Sequence, residues 1–228
     1  MMNDPFQVIY EDNHLIIVNK ESGILVQGDE TGDMPLSEMV KEYIKEKYNK
    51  PGAVYLGVVH RIDRPVSGLV LFAKTSKALE RMNKQFQERK VKKVYWALVD
   101  KRPEMEEETL VHWIKKNPEK NRVTVQQSDR RGGQRAELTY RIKAKVNKYY
   151  LLEVEPKTGR PHQIRAQLAA MGCPILGDLK YGSQKKIKGG RIYLHSRALG
   201  FIHPTRKDET LITARLPKDQ RWSEYEGV

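Results

Sequence analysis

Three stretches of the chain set chemically capable side chains at fixed spacings. The first is His60-Arg61-Ile62-Asp63-Arg64-Pro65-Val66-Ser67-Gly68. It is an acid between two arginines, followed by a Pro/Ser/Gly turn. In extended backbone, Arg61 and Asp63 would share one face, and nearby positive charge favours the carboxylate form of Asp63. That suits a carboxylate nucleophile. It suits a turn aspartate anchored by arginines somewhat better. The second stretch, Thr158-Gly159-Arg160-Pro161-His162-Gln163-Ile164-Arg165, runs from a Gly-Arg turn into a helix with Pro161 in its first turn, so His162 and Arg165 would face the same way. This pattern fits an anion site at a helix start, and it also fits an ordinary amphipathic helix with Ile164 and Leu168 in the core. The third, Lys92-Lys93-Val94-Tyr95-Trp96-Ala97-Leu98-Val99, puts aromatics beside lysines. Such a run can stack a base while the cations hold phosphate, or it can simply pack a strand.

Other chemistries lack their signatures. The sequence has no Gly-rich phosphate loop and no Gly-x-Ser-x-Gly elbow. Its six histidines show no metal-ligand spacing. The one cysteine, Cys173, permits no internal disulfide and no cysteine-rich metal site. Over 228 residues, 42 Lys+Arg against 29 Asp+Glu leave a net charge of +13. That excess points to a polyanionic partner. The basic residues recur at Arg89–Lys93, Lys115–Arg122, Arg130–Arg135 and Lys185–Arg191, as on the charged face of a folded domain. No apolar run reaches membrane-spanning length, and the N-terminus does not look like a targeting peptide. A cytoplasmic protein is expected.

The elements that must position these residues are legible as patterns. Apolar stretches at Phe6–Tyr10 and Leu15–Asn19 predict strands, and 35–48 predicts a helix with Pro35 in its first turn. Strands are expected at Val54–Asp63 and Leu69–Lys74, with a helix over Ser76–Arg89 burying Leu79, Met82 and Phe86. Alternation from Arg135 to Ala144 predicts a half-buried antiparallel strand, paired with Tyr149–Val154 across Lys145–Lys148. Glu104–Glu108, after Pro103, is expected as an acidic loop. A helix from Pro161 to Gly172 and strands at Ile192–Ile202 and Leu211–Leu216 complete the chain. The expected fold is a single α+β domain over residues 1–228, a mixed, largely antiparallel sheet flanked by helices.

Together these segments resemble the large-subunit-rRNA/tRNA pseudouridine synthase family often called RluA-like. The family's His-Arg-Leu-Asp-Arg-x-Thr-Ser-Gly motif is present at His60–Gly68 with Ile62 for Leu and Val66 for Thr. Its Asn-Lys-Pro-x-Gly motif is similar to Asn19–Gly23, with Glu21 for Pro, and its Lys-x-Tyr-x-Ala-Leu-Val segment matches Lys93–Val99. Gly-Arg-x-His-Gln-Ile-Arg is intact at Gly159–Arg165, although Gln167 stands where a histidine is common. Asp178–Gly182 and His195–Pro204 also resemble the family, so the likeness spans nearly the whole chain in order.

The resemblance implies an RNA pseudouridine synthase with Asp63 as its catalytic aspartate. It implies Arg61 as the arginine that helps extrude the target uridine, Tyr95 as the tyrosine stacking on the flipped base, Ile164 as the apolar neighbour of that base, and Arg165 as the partner of the catalytic carboxylate. Arg64, Lys93, Arg160 and His162 are further candidates for RNA contact. The isomerisation needs no cofactor and no metal. Structured rRNA or tRNA is the expected partner, with no membrane and no obligatory protein partner evident. The first family motif begins near Leu15, so no N-terminal S4 domain is expected. The competing expectation is a non-catalytic RNA-binding or ribosome-assembly module on the same fold.

Overall fold

The computed structural model describes residues 4–117, 119, 121–129 and 132–228. Lys120, Arg130 and Arg131, part of the predicted basic stretches, lie outside the described residues. In chain order the first elements are β1 (Phe6–Glu11), β2 (Leu15–Lys20), α1 (Leu36–Lys47), β3 (Gly57–Val58), β4 (Ser67–Ala73) and α2 (Ser76–Gln87). Then come β5 (Lys92–Val99), β6 (Glu107–Asn117), β7 (Arg122–Gln126), β8 (Gln134–Val146) and β9 (Tyr149–Pro156). The last are α3 (Gln163–Ala170), β10 (Leu194–Ile202), β11 (Glu209–Thr213) and α4 (Gln220–Ser223). The class is α+β with a largely antiparallel sheet, as the sequence patterns predict.

The chain divides into two compact units. One comprises residues 1–92 and 196–217, the other residues 93–195 and 218–228. In the first, the strand order is β1-β2-β4-β10, with β11 on β10 and β3 on β4. β2 and β4 are buried along nearly their whole length and pair antiparallel from Leu15↔Ala73 to Lys20↔Gly68. Leu15, Ile17, Leu69, Leu71, Met82 and Phe201 form the centre of its core, with Leu79 and Phe86 of α2 packed at the margin. Thr75 caps α2 by accepting the Ala78 amide.

In the second unit the order is β5-β9-β8-β6-β7. β8 and β9 meet antiparallel through a tight turn at Asn147 and Lys148, shorter than the predicted connection. Asn147 takes the left-handed conformation there, which asparagine tolerates. α3 packs Ala166 on Ile114, Val123 and Ala136, with Tyr181 completing that cluster.

Four expectations are corrected. Val54–Asp63 is not one long strand: only Gly57 and Val58 pair with β4, opposite Ala73 and Phe72. The ladder stops because the next amide of β4, Leu71 N, donates to the His60 imidazole at 3.1 Å rather than to a backbone carbonyl. The strand-face argument for Arg61 and Asp63 therefore lapses, since both lie in a loop. Glu107 and Glu108 belong to β6, where Arg141 and Tyr140 lie opposite them and the Tyr140 hydroxyl donates to Glu108 at 3.2 Å. Finally, α3 begins at Gln163 and not at Pro161, because His162 is left-handed at φ 51°. Pro35 likewise sits just before α1 and not inside its first turn.

Candidate active site

Asp63 sits half-buried on the loop that joins β3 to β4, and its carbonyl accepts the Val66 amide at 3.0 Å to close the turn. The loop is anchored at both ends. Ile62 and Val66 are buried, and the His60 ring stacks on Phe86 with centroids 5.2 Å apart. Beyond the turn, Gly68 has φ +112°, and a Cβ there would fall 2.4 Å from the Ser196 carbonyl oxygen. Only glycine fits that approach.

From beneath, Lys20 ties the turn down. It is 1% exposed, at the end of a strand that opens Leu15-Ile16-Ile17-Val18. Its ammonium donates to the carbonyls of Glu21 and Ile24, both at 2.9 Å, and of Arg64 at 3.3 Å. The Arg64 carbonyl also receives Gly23 N at 2.7 Å. Burial pushes the Lys20 amine down to about 7, opposed chiefly by the negative charge of Asp63. Arg61 is exposed, with one guanidinium nitrogen 3.5 Å from the Gln27 amide oxygen. Arg64, also exposed, donates to Gly23 O at 2.9 Å and pairs with Asp33 at 2.7 Å. This first unit thus brings together Arg61, Asp63 and Arg64 of the predicted site.

The second unit holds Lys93, Tyr95, Arg160, His162, Ile164 and Arg165. Tyr95 is 9% exposed in β5, and Lys93 is half-buried in the same strand. Ile164 and Arg165 sit in the first turn of α3, 7% and 5% exposed. Burying a guanidinium is costly unless it is paired. Arg165 meets this with Asp178, itself 1% exposed, through Nε–Oδ2 at 2.7 Å and Nη2–Oδ1 at 2.9 Å. The Tyr181 ring lies 5.1 Å from the Arg165 guanidinium, and its hydroxyl bonds His162 Nδ1 at 2.8 Å. Arg160, half-exposed, donates to Arg135 O at 3.1 Å.

The motif residues that the sequence left without a role are mostly internal fasteners. Gln163 donates to Glu137 O at 3.0 Å and accepts from Thr158 at 2.7 Å and Arg160 N at 3.0 Å, pinning the Gly-Arg turn to β8. Gln167 is fully buried and donates to Leu110 O at 3.1 Å, so its departure from the family's histidine is a change inside the core. Lys20 and Asp178 stand in the sequence only as members of longer motifs. Their signal was a charged residue inside or beside an apolar run. Among the described residues no group of three His, Cys, Asp or Glu side chains is arranged to hold a metal ion.

The comparisons with known proteins agree with this architecture. The family model described as RNA pseudouridylate synthase matches residues 14–170, and the chain belongs to that family. Ribosomal large subunit pseudouridine synthase C of Buchnera aphidicola subsp. Baizongia pistaciae is 35% identical over 217 residues, covering 92% of this chain and 66% of the relative. The chain thus spans about two thirds of that relative's length. tRNA pseudouridine synthase C of Haemophilus ducreyi is 31% identical over 94% of this chain and 92% of its own length. Among solved structures, human RNA pseudouridylate synthase domain containing 4 superposes with a TM-score of 0.76 at 22% identity, over 92% of this chain and 88% of that one. That likeness is one of fold. No described helix is long and apolar enough to cross a membrane.

Proposed function

We propose that the protein isomerises a uridine within structured rRNA or tRNA to pseudouridine, with Asp63 as nucleophile. The observation that carries this reading is the Asp63 turn. A half-exposed carboxylate stands on a loop fixed by Lys20, His60 and Gly68, in a chain whose family match covers residues 14–170. A nucleophile of this kind must be held still yet remain reachable.

The target base inside folded RNA hides its glycosidic bond, so the nucleotide has to be extruded at a cost of a few kcal/mol. Arg61, exposed two residues from Asp63, is the group suited to fill the vacated place. Asp63 then attacks the flipped nucleotide to give a covalent adduct, the N1–C1′ bond breaks, the uracil turns, and a C5–C1′ bond forms. The bond to Asp63 is released, C5 gives up its proton to solvent and N1 takes one up, so the product is an isomer of the starting nucleotide. No electrons are transferred and no water is consumed. Tyr95, Ile164 and Arg165 are assigned to the flipped base and to the charge of the reaction, with Arg64, Lys93, Arg160 and His162 as RNA contacts. Residues 1–228 act as one catalytic domain in this proposal.

The experiment is tritium release from uridine-5-tritiated cellular RNA. Wild-type protein is expected to release tritium. Asp63→Asn is expected to release none while binding RNA with nearly unchanged affinity. Full activity of the variant would overturn the role of Asp63, and silence of the wild type on every cellular RNA would overturn the isomerase reading.

A further inference from the structure

One surface of the second unit carries more positive charge than its own carboxylates balance. Two tyrosines, Tyr149 at the start of β9 and Tyr193 just before β10, are 7% and 5% exposed and hold cations against their rings. The Arg221 guanidinium lies 4.1 Å from the Tyr149 centroid, Lys185 Nζ lies 4.7 Å away and Lys148 Nζ 5.8 Å away. Arg221 and Arg191 each lie 5.9 Å from the Tyr193 centroid. Four cations from four places in the sequence therefore converge: the β8–β9 turn, the 185–191 segment at both ends, and α4. Exposed Lys186 and Lys188 extend the cluster along that segment.

Four carboxylates of this unit lie in or near these segments, Asp100, Asp219 and the exposed Glu224 and Glu226, against six basic side chains, Lys148, Lys185, Lys186, Lys188, Arg191 and Arg221. Asp219 accepts from Arg191 at 2.5 Å and from the Tyr193 hydroxyl at 2.9 Å while capping α4. Asp100 lies 3.2 Å from Lys185. Lys148 and Arg221 have no carboxylate partner among the described residues. Like charges gathered this closely repel one another, and a polyanion relieves that repulsion while releasing its counterions.

We propose that this cluster is a docking surface for the phosphodiester backbone of the substrate RNA, apart from the residues assigned to the reaction. The inference rests on the RNA-modifying reading for its choice of polyanion. The buried rings serve as seats that fix the cations and are not available to stack bases, so the surface tracks phosphates and does not read sequence. A lipid surface fits less well, because none of the large exposed apolar side chains (Met34, Tyr48, Tyr55, Met105, Leu179, Leu211, Val228) lies in the 145–148, 185–191 or 218–223 segments.

The test compares a triple variant, Lys148→Gln/Lys186→Gln/Lys188→Gln, with a charge-matched control, Lys45→Gln/Lys50→Gln/Lys77→Gln, whose exposed lysines all lie in the first unit. RNA affinity is measured against salt concentration for two structured RNAs of unrelated sequence, alongside tritium release at saturating RNA. The triple variant is expected to bind both RNAs about tenfold or more weakly, with a salt slope reduced by about 2–3, and to keep its saturated turnover. An affinity and slope equal to those of the control would overturn the docking surface, as would a loss confined to one RNA. Unchanged RNA binding with lost binding to phosphatidylserine vesicles would overturn it in favour of a membrane. If the wild type releases no tritium yet the slope falls as expected, the surface stands and the isomerase reading fails. An active wild type whose triple variant matches the control separates the opposite case.

Discussion

Replacing Lys20 by methionine keeps the length of the side chain and removes its charge and its three donors, and the structure sets the balance of the consequences. The Arg64 carbonyl retains Gly23 N at 2.7 Å, but the Glu21 and Ile24 carbonyls each lose a 2.9 Å partner. At about 1–3 kcal/mol for each acceptor left short, an upper range for carbonyls that are only partly buried, the loss is at most about 2–6 kcal/mol. Against it stands the cost of burying an ammonium. The fall of the amine from 10.5 to about 7, caused first by burial, corresponds to about 5 kcal/mol at about 1.36 kcal/mol per unit. The two effects largely offset each other, so Lys20→Met should leave unfolding stability at pH 7 between about 1 kcal/mol below and about 3 kcal/mol above wild type. Turnover should nevertheless fall about 100-fold or more, because the Asp63 turn loses its tie and small displacements of a nucleophile are expensive.

The pH dependence separates this account from a simple packing role. Between pH 7 and 10.5 the unfolded lysine keeps its proton and the folded one has released it. Wild-type stability therefore gains from this group as pH rises, by at most about 1.36 kcal/mol per unit. The variant lacks that gain, so the difference in stability between the two proteins should shift toward wild type from pH 7 to pH 10 in urea titrations. A difference that stays flat over that window, or a variant with full turnover, would refute the reasoning.

Gly68→Ala should destabilise by about 3 kcal/mol or more in urea unfolding, since its Cβ would meet backbone atoms of Ser196 at 2.4 and 2.5 Å from a left-handed φ; a loss under about 1 kcal/mol would mean the strands separate easily. Glu11 and Asp12 should make the fold acid-sensitive. Burial raises both carboxyls, but Lys47, Lys74 and Tyr48 hold Glu11 at about 2, and the amides of His14 and Leu15 with the Tyr10 hydroxyl hold Asp12 at about 2. Their contribution is present above about pH 4 and is lost as pH falls toward 2, so Glu11→Gln should flatten the acid limb of a stability–pH curve. RNA affinity should fall about 100-fold or more between 50 and 200 mM salt. A flat response would dissociate the +13 charge from binding.

What could be read from the sequence, and what could not, follows from the kind of group involved. Asp63, Arg61, Tyr95 and Arg165 could be nominated as site candidates because they stand in ordered motifs that resemble the family's. β2, β4 and β8 were legible because burial of one or both faces writes itself into apolar runs or alternation. Val54–Asp63 misled because valine-rich sequence favours a strand, whereas a single imidazole, His60, takes the amide that would have continued the ladder. The role of Lys20 was hidden for a related reason, although its charge at the end of an apolar run marked it. Lysines are exposed by default, and nothing local shows that the Arg64 carbonyl, 44 residues away, will converge on it with two nearer ones. The partners in such contacts are backbone groups, which every residue carries and which leave no trace in composition or spacing. His162 repeats the pattern: its left-handed backbone accompanies a bond to the Tyr181 hydroxyl, 19 residues on. Candidates for the reaction can therefore be nominated from side chains and motifs, while the residues that hold them in place can be named only once the chain has closed around them.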